Sequence, residues 1–198
     1  ISKFKLDGLF LLLDIKTGSK VLDIGCGKGE FLTRLAELFD IHGTGVDISP
    51  YHIKDCKKKK SERIPKSDIK FLEMDGAKYK PKNNELFDLT ICLGASFVYN
   101  GFIGTINALK KMTKPKGMLI IGEPYWLKDP PEEYLKMSGI NKEDFNNHFI
   151  NIDIAEKEGL NCIYTLVSNR DDWDHYETLQ WWSVYDYVTL NPNDSDNS

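Results

Sequence analysis

Paired cysteines are missing from this chain, and with them two ways of stapling a fold. Its 198 residues hold four cysteines, Cys26, Cys56, Cys92 and Cys162, with no C-x-x-C pair and no Cys/His cluster. That pattern argues against a disulfide framework and a structural zinc site, and it predicts reduced thiols in a cytoplasmic protein with no metal. Excess positive charge is missing too. The formal net charge is -4, which speaks against a broad nucleic-acid-binding face. The run Lys57 to Lys60 reads as one solvated helix turn rather than an RNA or lipid site. Long hydrophobic runs are also absent. The stretch Phe4 to Leu13 is too short to span a bilayer and lacks a small-residue cleavage site, so it predicts an amphipathic helix and no membrane partner. No internal repeat, linker or second core is visible. What remains is an ordinary globular composition, 41% hydrophobic and 28% charged. The length suits a single domain over 1–190, followed by a polar tail at 191–198 that is expected to be disordered.

The apolar pattern alternates between strand and helix. "SKVLDIG", "HGTGVDIS", "IKFLEMDGA", "LFDLTICLGAS" and "GMLIIGEPYW" read as five buried strands, and "NCIYTLVS" as a sixth. Helical faces fall between them: "GEFLTRLAELF", the segment from Ser49 and Pro50 to Arg63, and "INALKKM". Ser49 suits an N-cap and Pro50 the first turn. "DIAEKEGL" and the aromatic "DWDHYETLQWWSVYDYVTL" read as later helices, and 124–150 as a looser insert rich in Pro, Asn and aromatics. Such alternation predicts an α/β fold: a doubly wound, mostly parallel sheet with helices on both faces. The tryptophans at 173, 181 and 182 read first as core or lid packing, and second as contacts to a ligand.

Ligands of such a sheet sit beyond the carboxyl ends of its strands. The stretch there is "KVLDIGCGKGEF", a glycine turn between a strand and a helix. A phosphate-binding P-loop requires G-x-x-x-x-G-K-[S/T], which this is not. The dinucleotide fingerprint G-x-G-x-x-G fits Gly25 and Gly27, but Glu30 stands where its last glycine belongs, placing negative charge beside a pyrophosphate. The observed spacing is D-x-G-x-G-x-G, over Asp23, Gly25, Gly27 and Gly29. Asp47 ends the second strand, where an acid accepts from ribose hydroxyls. Asp75 precedes Gly76, where it serves a ligand or simply forms the turn.

This spacing resembles motif I of the class I methyltransferases that use S-adenosylmethionine (SAM). The resemblance runs over about residues 4 to 123, through Asp47, "MDGA", "FDLTICLGAS" and "TKPKG", the last departing from the family's "LKPGG". Further on, "IGEPYW" and "DDWDHYETLQWWSVYDYVTLNPND" are similar to a subgroup of uncharacterised prokaryotic methyltransferases of small-molecule type. The resemblance implies SAM as cofactor and S-adenosylhomocysteine (SAH) as product. It implies cofactor contacts from Asp23, Gly25, Cys26, Gly27, Gly29, Asp47, Ile48, Asp75, Gly76, Ala77, Leu93 and Gly94, with Asp75 on the adenine amino group. It also implies a seventh, antiparallel strand, for which the sequence offers no candidate unless residues 173–190 form it. The expectation is therefore a fold lacking that strand, either through truncation or because residues 173–190 are not a helix.

Acceptor-side candidates follow strands four and five. Ser96, Tyr99 and Trp126 are expected to bind substrate, and Glu123 and Tyr125 to act on it, Glu123 by holding a cationic acceptor or taking a proton. Each has a plainer reading: a structural hydrogen bond at Pro124 for Glu123, packing under the insert for Tyr125 and Trp126. His148 and His175 read as ordinary histidines before they read as bases. The Asp/Asn-Pro-Pro-aromatic motif of amino-methylating DNA enzymes is replaced by "LGASF", and the Pro-Cys nucleophile of cytosine-C5 enzymes is absent. A small-molecule acceptor, without nucleic acid, is the expectation. A non-catalytic SAM-binding module and a nicotinamide-dependent oxidoreductase are the alternatives.

Overall fold

The computed structural model describes residues 2–192 and 194; most of the expected tail, 193 and 195–198, lies outside the described residues. Contacts divide the chain into two compact units, residues 15–162 and residues 1–14 with 163–198.

The first unit holds a five-stranded parallel sheet in the order β3-β2-β1-β4-β5. Its strands are β1 (Ser19–Ile24), β2 (Ile41–Asp47), β3 (Asp68–Glu73), β4 (Phe87–Leu93) and β5 (Thr113–Gly122). Helices α2 (Glu30–Leu38) and α3 (Pro50–Arg63) cross between the first three strands, and α4 (Phe102–Met112) between β4 and β5. The chain steps one way from β1 to β3, then returns past β1 to β4. Right-handed crossovers therefore put α2 and α3 on one face and α4 on the other. The reversal falls between β1 and β4, where an open α/β sheet leaves its crevice. Leu22, Ile24, Val46, Cys92 and Leu109 form the buried cluster beneath it. Gly43 and Gly45 in β2 leave room for Leu32, Ile69 and Phe71, whose side chains occupy the space a Cβ would take.

The "TKPKG" stretch lies inside β5 rather than before it. Phe87 pairs with Thr113 and Leu89 with Met118, so the extra β5 residues bulge out, with Lys116 at φ +67°. After β5 come α5 (Glu132–Ser138) and α6 (His148–Lys157); the expected insert holds α5, a 3-10 turn at Lys142–Asp144 and the start of α6, joined by irregular segments.

The second unit holds α1 (Lys3–Leu12) and α7 (Arg170–Leu190). The Lys5 ammonium pairs with the Asp172 carboxylate at 2.5 Å. Asn169 caps α7 and Asp172 returns the bond to the Asn169 N–H, a reciprocal capping box. The aromatic segment is thus a helix as expected, but Trp181 and Trp182 are 70% and 65% exposed, which corrects their reading as core. The sixth strand is also corrected. Residues 161–169 have no regular structure, and Ile163 is 78% exposed. A β-branched alternation records only a fit to a half-buried pleated surface, and this segment has no neighbouring strand. Among the described residues the sheet stops at five strands, and no helix is long and apolar enough to cross a membrane.

Gly104, in the first turns of α4, sets how closely that helix approaches the 3-10 turn Ser96–Tyr99. A Cβ there would lie 1.7 Å from the Tyr99 carbonyl oxygen. Gly104→Ala should lower stability by about 1–3 kcal/mol, the usual cost of overpacking, although alanine is the better helix former. Urea unfolding checks this; a stabilised variant would show that the turn is free to move.

Candidate active site

The glycine turn leaves the end of β1 and is tied to β2. The Gly25 and Cys26 N–H groups both donate to the Val46 carbonyl, at 2.8 and 3.0 Å. Gly25, at φ +69°, must be glycine twice over: its backbone is left-handed, and a Cβ would lie 2.4 Å from the Ala95 methyl. Gly27, at φ +52°, differs, because nothing lies within 4 Å of where its Cβ would be. Gly94, at the end of β4, has the same open surroundings and φ +67°. Gly29 caps α2 and sits against Cys56 and Phe71.

Asp47 organises the turn. Its Oδ2 accepts from Gly27 N–H at 2.8 Å, and its Oδ1 from Ser49 N–H at 2.9 Å. His52 Nδ1 lies 3.1 Å from Oδ1. The sequence reading missed His52. The signal was available in the Ser49–Pro50 helix start, since Ser49 Oγ caps His52 N–H and so turns the imidazole toward Asp47. Ile48 follows, 70% exposed.

Asp23, next to last in β1, is only 3% exposed. Burial, and secondarily the Asp47 charge, push its carboxyl up to about 7. Cys26 contributes its backbone to the turn, while its side chain turns toward Gly45 and the Cys56 thiol. The Cys26–Cys56 hydrogen bond raises the first thiol and lowers the second, and Cys56 Sγ donates to Gly27 O at 3.2 Å. None of the four cysteines forms a disulfide.

Asp75 caps a short 3-10 turn, accepting from Ala77 N–H at 2.9 Å, so its turn-forming role is present. Gly76 within that turn is buried, and its carbonyl accepts from the Tyr99 hydroxyl at 3.1 Å. Burial pushes the Tyr99 hydroxyl up to about 12.

Next to these groups, the ends of β4 and β5 are pinned by Gly94 N–H donating to Gly122 O at 2.9 Å. Leu93 closes β4 here. Ser96 Oγ donates to Glu123 Oε1 at 2.8 Å, and burial raises the Glu123 carboxyl. Glu123 Oε2 is buried with no hydrogen-bond partner. The Tyr125 ring lies 5.3 Å from that of His148. Trp126 is held apart from the strand ends: it packs edge-on against Tyr134 and Phe145, and its indole N–H donates to Lys142 O. The structure therefore brings Ser96 and Glu123 together, and places Trp126 in the insert. His175 lies on α7, in the other unit.

The chemistry of this cradle favours a cation over a phosphate. Asp23 and Asp47 stand at its base, and neither has a lysine or arginine partner. Glu30, where a dinucleotide site needs glycine, is held by Lys59 and Arg63 at 2.7 and 2.9 Å. Open space over Gly27 and Gly94 lets a ligand approach the backbone. The site fits a molecule with a sulfonium, an ammonium and a ribose.

A parallel sheet with an acid-flanked glycine turn at its reversal point defines a SAM-dependent methyltransferase of the Rossmann-like class. Residues 15–181 match the family described as "Methyltransferase domain", and the chain belongs to it. It is 31% identical over 185 residues to the uncharacterized protein YjhP of Escherichia coli, covering 92% of this chain and 74% of that protein. Two crystal structures of SAM-dependent methyltransferases bound to SAH superpose over the whole chain. The Geobacter sulfurreducens protein does so with a TM-score of 0.92 at 29% identity, and the Thiobacillus denitrificans protein with 0.91 at 31%. Each superposition covers 79% of the larger chain.

Proposed function

We propose that this protein transfers the methyl group of SAM to a small-molecule acceptor by in-line displacement, leaving SAH. The observation that carries the reading is the carboxylate cradle over an open glycine turn. Asp23 would face the ammonium, Asp47 and Ile48 the ribose, and the Asp75–Ala77 turn the adenine. Gly25, Gly27, Gly29, Leu93 and Gly94 would line the rest. Bound there, the cofactor supplies an electrophilic methyl whose leaving group is a neutral thioether.

The chain's own work is then to align the acceptor and keep water out, and these suffice for a large share of such catalysis. Ser96, Tyr99, Glu123 and Tyr125 stand where an acceptor would approach. Lysines of the basic run are engaged within the protein: Lys59 with Glu30, and Lys60 with the Ile69 carbonyl. That supports a small acceptor over a nucleic acid. Cysteines without disulfides support a cytoplasmic setting.

Calorimetric titration with SAM, SAH and NAD tests the reading. Micromolar binding of SAM and SAH, with none of NAD, is expected. Transfer of a radiolabelled methyl to a panel of small acceptors should follow. Binding without any turnover would favour a SAM-binding module, and binding of NAD alone would overturn the proposal.

A further inference from the structure

Glu123 is the first residue beyond β5, beside the end of β4. The Gly94–Gly122 bond fixes that juxtaposition, and the strands fix the carboxylate's base. Ser96, 9% exposed, occupies one carboxyl oxygen with a 2.8 Å hydrogen bond. The other oxygen, Oε2, is buried without a donor. A carboxyl group held in one orientation by a buried serine, with its second oxygen unmatched, is incomplete. On the turn that carries Ser96, the Tyr99 hydroxyl is already committed to Gly76 O. An unmatched buried oxygen of this kind is a place for a ligand's donor.

We infer that Glu123 Oε2 receives the N–H or O–H of the methyl acceptor, so that the acceptor class is a proton-bearing nitrogen or oxygen nucleophile rather than an alkene, a thioether or a tertiary amine. The inference rests on the methyltransferase reading above and deepens it. For a hydroxyl acceptor the step balances as follows. The oxygen lone pair forms the new C–O bond, the methyl–sulfur bond breaks with its electron pair to sulfur, and the hydroxyl proton passes to Glu123. A neutral amine gives an alkylammonium by the same displacement, and Glu123 then takes one of its protons. Ser96 is the positioning residue that presents the carboxylate.

Matched probes test this on the full chain saturated with SAH. Phenol is compared with anisole, and benzylamine with benzyltrimethylammonium, each titrated into wild type and Glu123→Gln. The donor-bearing member of each pair should bind about tenfold more tightly to wild type, the order of effect expected for one bond to a buried acceptor. Glu123→Gln, nearly isosteric, should erase most of that preference while SAH affinity stays within about twofold, as expected for a side chain outside the cofactor cradle. Equal binding of the paired probes, or a preference that survives in Glu123→Gln, overturns the inference while leaving the cofactor site intact. Failure of wild type to bind SAH overturns the methyltransferase reading itself, and this assignment with it.

Discussion

Asp47→Ala should reduce affinity for SAH by about two orders of magnitude. The carboxylate holds the Gly27 and Ser49 N–H groups and the His52 ring, and on the proposed reading the ribose as well. Hydrogen bonds to a charged group contribute about 1.5–3 kcal/mol each, and two lost together reach that magnitude. Part of the loss is conformational, because the turn at Gly27 is no longer tied to β2. Asp47→Asn separates the two contributions. Its oxygen still serves one side, but its NH2 opposes an N–H donor on the other, so its affinity should fall between wild type and alanine. Calorimetry with SAH checks both variants, and a cofactor affinity unchanged in Asp47→Ala would remove this residue from the site.

The second large effect is a pH dependence centred on Asp23. Its carboxyl sits near 7 in the folded chain, against an ordinary value of 3.8. Between these values the folded state holds a proton that the unfolded state has released. Stability therefore falls as pH rises from about 4 to about 7, and this contribution is flat above that. Asp23→Asn should abolish the fall and leave the protein more stable than wild type at pH 8. The same variant should bind SAM about tenfold more weakly or worse, since a neutral amide faces the cation. Wild-type binding should release a proton near pH 6–7, visible as a dependence of the titration heat on buffer ionisation. Melting curves across pH, with and without the substitution, read the first effect. A wild-type stability that rises over that interval and is matched by Asp23→Asn would show that Asp23 is charged throughout.

Much of this site is legible along the chain because its parts are local. The glycine spacing, the acid before it and the acids ending the next two strands each occupy one strand end, and a parallel sheet aligns strand ends. What the chain order leaves out is contacts between distant segments. Ala95 matters because Gly25 has no side chain, and only β1 lying beside β4 brings them together. The Ser96–Glu123 bond needs β4 beside β5. His52 is the exception, a local contact: the Ser49–Pro50 helix start sets its place, and its partner Asp47 lies five residues back. The "NCIYTLVS" segment failed for the opposite reason. Its local pattern was good, and a strand is not a local structure: it exists only with a neighbour to exchange hydrogen bonds with.

The 3-10 turn Ser96–Tyr99 carries one residue bonded toward each side of the crevice. Tyr99 reaches the Gly76 carbonyl next to Asp75, and Ser96 reaches Glu123. Only four residues span the two bonds. On the proposed reading, a molecule that steadies the Asp75 loop would steady the Glu123 carboxylate as well. Such linkage is reciprocal: by whatever factor the first ligand tightens the second, the second tightens the first. Two small molecules meeting in this crevice would bind cooperatively, and the four residues between them would transmit the coupling.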